Sequence, residues 1–584
     1  MIVGQTATFS VKAANQAGVS YQWLKGTAPI MGADAASYTT PATTTGDSGA
    51  QFSVVVSNPA GKTTSSVAQL TVNPATDVLT YHNDNGRTGQ NLTETLLTTS
   101  NVNSAQFGKL GIYTVLGHVD AQPLYASNVA TPNNGMHNLL IVATENDSVY
   151  AFDPDSGATI WQVSVLKSGE TPSDDPSGPT NPKIGVNATP VIDRTRGPNG
   201  TIYLVARSKD AAGNYFQRLH ALDLALGTEA LGGPVDIQAT YPGRGDNSDG
   251  TNVIFDPMQY RERCGLLLLN GVIYTTWASL FDTRPYTGWI IGYDESTLAQ
   301  TSVLNVTPNG SSGAIWMSGA GPAADSSGNI YFLDGNGVFD STLNSSGFPS
   351  EGDYGNAFMK LSTSGNQLAV ADYFETHDGM QQSDADSDLG SGGAMVLPDL
   401  DDGLGHTMHL AIGAGKDSNL YVVNRDSMGK YDPDSDDIYQ ELLGALPGGV
   451  WAMPAYFNNK VYYGPWGSPM LAFTIANAKL SSTSTAQTAN SFGYPGATPS
   501  ISANATNNGI VWALDDSSPA VLRAYDAVDL NELYNSNQAS DGRDQFGDGF
   551  PGPNNHFMTP TIANGKVFIG TLNGVAVFGL LPKN

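Results

Sequence analysis

One pattern recurs along the chain and limits its fold more than any other feature. A Pro-bearing strand is followed by a Gly-x-(Val/Ile)-Tyr strand, then by a strand ending in Asp. The Pro positions are Pro123, Pro190, Pro322, Pro398, Pro454, Pro499 and Pro560. Most of them lie about 45–75 residues apart, a period typical of propeller blades or solenoid units. The double gap between Pro190 and Pro322 is filled by Arg263-Cys264-Gly265-Leu266, a unit without the proline. The second strand reads Gly271-Val-Ile-Tyr274, Gly328-Asn-Ile-Tyr331 and Asn459-Lys-Val-Tyr462. The third reads Tyr150-Ala-Phe-Asp153, His220-Ala-Leu-Asp223 and Ala524-Tyr-Asp526. About eight such units are present, within the ordinary range for a closed ring of four-stranded sheets.

A ring needs closure, because an open sheet edge invites pairing with other chains. The last unit, running to Phe578, supplies only three strands. Phe107–Tyr113, which precedes the first Pro strand, is the expected fourth strand of that last sheet. Residues 1–74 have a different rhythm. Short alternating runs such as Ser20-Tyr-Gln-Trp23-Leu and Phe52-Ser-Val54-Val-Val are separated by turn residues. About seven runs in this length predict a small two-sheet sandwich. The expected organisation is therefore all-β: a sandwich over 1–74, a linker and lead-in over 75–106, and an eight-bladed propeller over 107–584.

Two resemblances follow from these residues. Residues 1–74 resemble a bacterial extracellular immunoglobulin-like domain, with Trp23 at its core position and Phe9 packing on Val54 where a disulfide is common. Asp153-Pro-Asp-Ser-Gly157-Ala-Thr-Ile-Trp161 and the entry segment Tyr81–Gly89 resemble the quinoprotein alcohol dehydrogenase-like eight-bladed propeller superfamily. That second resemblance implies pyrroloquinoline quinone (PQQ) and Ca2+ at one mouth of the ring. It also implies, in many members, a disulfide of adjacent cysteines over the quinone. This chain has one cysteine, Cys264, in an apolar run, and so makes no such disulfide.

Charge narrows the partners. With 26 Lys and Arg against 54 Asp and Glu, the net charge is −28. Such a surface does not suit nucleic acid or an anionic membrane. No run is apolar and long enough to enter a bilayer as a helix. No basic stretch followed by an apolar core opens the chain, so a secreted, extracellular or periplasmic location would involve a signal not present here.

The repeat places Asp120, Gln122, Asn187, Arg261, Arg263, Trp316, Asp388, Lys416, Trp451 and His556 around one mouth. This mix of acid, amide, cation and aromatic ring suits a polar ligand. Asp384-Ala-Asp386-Ser-Asp388 is the candidate Ca2+ loop, since alternating aspartates offer hard oxygens. His406 and His409 would point to opposite faces of a strand, and His220 reads as a core residue. The leading expectation is a secreted or cell-surface binding and scaffold protein whose mouth recognises a glycan, peptide or small metabolite. The alternatives are a PQQ- and Ca2+-dependent dehydrogenase of an alcohol or sugar, and a structural subunit of an extracellular assembly.

Overall fold

The computed structural model describes residues 3, 6–13, 18–72, 74–132, 135–174, 183–280, 282–516, 519–546 and 557–582. Strands dominate, and the one α-helix among the described residues is Gly379–Asp384. Two compact units emerge. One comprises residues 1–77 and 127–138, the other residues 78–126 and 139–584.

The first unit holds two antiparallel sheets. Thr8–Ser10 pairs with Ser37–Thr39, and a second sheet runs in the order Ala28–Pro29, Ser20–Lys25, Gln51–Asn58, Gly61–Thr64. Alternation along Ser20–Lys25 and Gln51–Asn58 sends Trp23, Phe52 and Val54 inward. Phe9 stacks on Phe52 at 4.5 Å and also packs against the Trp23–Val54 cluster. The Trp23 indole N–H donates to the Ala35 carbonyl at 3.0 Å, so its polar edge is satisfied.

The second unit is built mainly of four- and five-stranded sheets in sequence order, antiparallel except where Gln90–Asn91 pairs parallel with Ser500–Asn504, with two short two-stranded ribbons besides. Its repeat is set by a turn. After the third strand, Asp153, Asp223, Asp294 and Asp526 each accept backbone N–H groups from the next residues through Oδ1. An Asp side chain closes such a turn because it mimics a backbone acceptor. Four residues on, the chain takes a positive φ at Gly157, Gly227, Leu298 and Leu530. Two positions use glycine, the residue that tolerates this conformation most easily, and two force leucine into it. Trp161 then returns its indole N–H to Leu224 O at 3.1 Å.

Phe107–Thr114 pairs antiparallel with Gly574–Leu580, in register from Gly574↔Thr114 to Leu580↔Phe107. The terminal sheet is thus completed by the early strand that the sequence nominates. The segment expected as linker and lead-in contributes to this unit. Residues 78–106 belong to the second unit, and Arg87 is fully buried. Its guanidinium donates to Thr80 Oγ1 and Tyr81 O at 2.8 Å, to Pro322 O at 2.9 Å and to Leu266 O at 3.1 Å. Burial pulls its pKa down to about 10. His82 is equally buried, with its ring nitrogens at 2.8 Å from the carbonyls of Arg87 and Pro499. One strap of sequence therefore ties sheets that are far apart along the chain.

Candidate functional site

The geometry of the second unit gathers several nominated residues around an acid pair. Asp120 lies before the strand Leu124–Thr131, and Glu145 follows the strand Gly135–Thr144. The Asn187 amide donates to Asp120 Oδ2 at 2.9 Å and to Glu145 Oε1 at 2.8 Å. Arg261 completes the group. Its Nε donates to Asn187 Oδ1 at 3.2 Å, and its Nη2 lies 3.7 Å from Asp120 and 3.5 Å from Glu145. His118 Nδ1 sits 3.2 Å from the other oxygen of Glu145.

Two carboxylates this close do not both ionise readily. Burial, followed by the charge of Glu145, pushes Asp120 well above the usual carboxylate range. Burial also opposes charge on Glu145, but the His118 hydrogen bond and the Arg261 charge outweigh it and hold Glu145 low. Of the two, Asp120 is thus the acid whose ionisation its surroundings oppose and Glu145 the one whose ionisation they favour. Asp120 Oδ1 is buried and receives no hydrogen bond.

Arg263 leads from this group to aromatic surface. Its guanidinium lies 5.8 Å from the Trp316 ring centroid and 4.8 Å from that of Phe557. Burial, then the neighbouring Arg261, lowers it to about 10. Trp451 sits in a trio with Trp466 and Tyr494, at centroid separations of 5.6–5.9 Å and edge-to-face angles. Trp466 is 48% and Tyr494 40% exposed, so this trio presents flat apolar surface to solvent.

Other nominated residues have different duties. Gln122 is buried and works inside the fold. Its Oε1 accepts the His82 N–H at 2.9 Å and its Nε2 donates to Thr561 at 3.1 Å. Lys416 pairs with Asp388 at 2.7 Å and with Asp386. The expected Ca2+ loop is therefore not assembled as one. Asp384 closes the helix Gly379–Asp384 and is exposed, while an ammonium stands between the other two aspartates. Among the described residues, no group of three or more His, Cys, Asp or Glu side chains is arranged to hold a metal. His556 lies outside the described residues. His220 is buried against Glu229 at 2.5 Å, whereas His406 and His409 pair separately with Asp402 and Asp426.

Sequence reasoning missed Glu145, Trp466 and Tyr494 as members of this region. Glu145 follows an apolar strand in Thr144-Glu-Asn-Asp147, and only the position of that turn at a strand end hints at a role. Trp466 and Tyr494 sit in loops outside the repeat.

No family model matches the sequence, and no curated protein does either. Solved structures do match. The quinohemoprotein alcohol dehydrogenase of Comamonas testosteroni superposes with a TM-score of 0.53 at 13% identity, over 87% of this chain and 82% of that one. The quinohemoprotein alcohol dehydrogenase ADHIIG of Pseudomonas putida HK5 gives 0.54 at 12%, over 86% and 80%. A europium-containing methanol dehydrogenase gives 0.51 at 11%, over 86% and 98%. At such identities the likeness is one of fold, that of a quinoprotein-like β-propeller.

Proposed function

We propose that the second unit is an eight-bladed propeller acting as a quinone-dependent oxidoreductase on an alcohol or sugar, with its chemistry at Asp120, Glu145, Asn187 and Arg261. The observation that carries this reading is the buried acid pair, bridged by the Asn187 amide and contacted by Arg261. The solved structures of like fold include alcohol and methanol dehydrogenases, which supports the same reaction class. We read the eight four- and five-stranded sheets of the second unit as its blades. The first unit is proposed as an immunoglobulin-like spacer or adhesive module, and the whole chain as secreted or periplasmic.

The residues fit PQQ and a divalent ion. Asp120 Oδ1 is buried without a donor, and Glu145 and the Asn187 carbonyl add further hard oxygens beside it. Trp316 offers a flat face, while Arg261 and Arg263 offer charge for the carboxylates of such a ligand. When bound, the quinone supplies the two-electron acceptor that no side chain here can provide. Among the chain's own groups, ionised Glu145 is the base that takes a hydroxyl proton. His118 and Arg261 fix the Glu145 carboxylate, and Asn187 sets the spacing of the pair.

The test is reconstitution with PQQ and Ca2+ in a dye-linked assay over a panel of primary alcohols and aldoses. Dye reduction is expected, and Glu145→Gln should lower turnover by about a hundredfold or more. Absence of dye reduction by the wild-type chain refutes the redox reading. A second reading, recognition of a glycan or other polar ligand without turnover, draws on the exposed Trp466 and Tyr494 rings. It predicts saturable quenching of tryptophan fluorescence by oligosaccharides where quinone has no effect.

A further inference from the structure

A second set of buried carboxylates lies outside the Asp120–Glu145 group. Asp334 follows the strand Asn329–Leu333, and Glu375 follows the strand Ala369–Phe374. Both strands flank Phe358–Ser362 in one sheet, with Leu333, Phe358 and Phe374 in register. The two acids thus leave the same sheet edge, their backbones roughly 10 Å apart across the middle strand. Asp334 leans toward the middle strand, where its Oδ1 accepts the N–H of Ala357 at 2.5 Å.

Both side chains are buried, at 0% and 1% exposure. Asp334 Oδ2, both Glu375 oxygens and the neighbouring Thr376 Oγ1 receive no hydrogen bond. No Lys, Arg or His among the described residues is ion-paired with either acid, and Lys416 is held by Asp386 and Asp388. Burying a carboxylate without compensation is strongly unfavourable, so the arrangement calls for a positive partner.

Gly379 packs directly against two of these groups. A Cβ on Gly379 would stand 1.5 Å from Glu375 Oε1 and 3.0 Å from Thr376 Oγ1. Only a residue without Cβ fits this close to the two oxygens, so both lie against the Gly379 backbone. Asn356 braces the wall, with Nδ2 donating to Gly379 O at 3.2 Å and Oδ1 accepting from Leu389 N at 2.8 Å. The available ligands are all oxygens, two of the groups are formally anionic, and no thiol or imidazole takes part. That set selects a hard divalent cation of flexible coordination over a transition metal.

We propose that Asp334, Glu375 and Thr376 form a buried Ca2+ site at this sheet edge, separate from the Asp120–Glu145 group and independent of any quinone. The ion would join two strand ends and the turn that starts the helix Gly379–Asp384, a structural role in this part of the second unit.

The test is calorimetric titration of Ca2+ into the full chain carrying Asp120→Asn, which disables the other acid pair, in 0.15 M salt. One ion is expected to bind. Adding Glu375→Gln or Asp334→Asn should weaken it at least about tenfold and abolish the fall in Tm that EDTA causes in the parent. If the Glu375→Gln chain does not fold, Asp334→Asn carries the same comparison. Two results overturn the proposal: no Ca2+ bound by the Asp120→Asn chain, or equal affinity with and without the Glu375 and Asp334 carboxylates. The second result would mean that protons alone neutralise the buried acids.

Discussion

In the first unit, Asp34, Asp47 and Asp77 all stand clear of the core, and the buried apolar set is small: Trp23, Ala33, Val54, Phe52, Leu70 and Val72. In the second, Asp120, Asp147, Glu262, Asp334 and Glu375 are all pushed well above the usual carboxylate range by burial. A small sandwich has little hydrophobic surplus to offset a buried charge, whereas a large body of many sheets has more. The contrast locates chemistry. Buried acids mark where the second unit departs from the best-packed arrangement, and such departures concentrate at functional sites.

The strongest way to break this contrast is to remove the strap. Arg87→Ala leaves four buried backbone or hydroxyl oxygens without their donor, so the second unit should lose at least about 3 kcal/mol. Urea unfolding followed by hydrogen exchange should show that loss in second-unit peptides and not in those around Trp23. Equal loss in both would mean that the units share one cooperative transition.

Next in size is Gly379→Ala. The added Cβ collides with the Glu375 carboxylate, and the expected cost is about 1–3 kcal/mol. A Tm equal to wild type would show that Glu375 swings away freely and would weaken the case for a shaped oxygen pocket.

Acidification should strengthen the second unit near neutrality and weaken the first only as pH approaches about 2. Burial raises Glu441 to about 7 and Asp353 to about 6. An acid raised in the folded state binds more protons folded than unfolded between the two pKa values. The stability it contributes is therefore full below about 4 and is lost as pH rises through the folded value. Asp47 in the first unit is lowered to about 2, with the Lys25 hydrogen bond the largest cause. Its contribution is present above about 4 and is lost as pH falls toward 2. Hydrogen exchange in EDTA at pH 7.5 and 5, corrected for intrinsic rates, should show second-unit peptides gaining protection on acidification. Loss of protection there would contradict the assignment.

The smallest expected effect is that of Asp47→Asn. The Lys25–Asp47 pair is open to solvent, and exposed pairs contribute little. No resolvable change in Tm is expected at neutral pH, and a clear drop would show more buried electrostatics in the first unit than its geometry displays.

Much of the fold was readable because periodicity reports on backbone. The Pro-strand spacing, the Asp-turn and the three-strand last unit together led to the pairing of Phe107–Thr114 with Gly574–Leu580. The site was less readable, because a repeat gives a residue's place along a strand but not the partner its side chain meets. Asp120, Asn187 and Arg261 do converge. Gln122, two residues from Asp120, turns inward to hold His82. Asp386 and Asp388 look like ion ligands in sequence, yet Lys416, about thirty residues on, already pairs with them. Glu145 and Glu375 carried no local signal, because what distinguishes them is burial, Glu145 among Asn187, Arg261 and His118 and Glu375 with no hydrogen bond to either oxygen.

The central claim is that the Asp120–Glu145–Asn187–Arg261 group binds a quinone together with a divalent ion. Absorbance difference spectra on titrating PQQ into the full chain with Ca2+ test it most directly. The account predicts a saturable shift that disappears in Asp120→Asn and in EDTA. A linear, unsaturable response in the wild-type chain, or an equal shift in the variant, would contradict it.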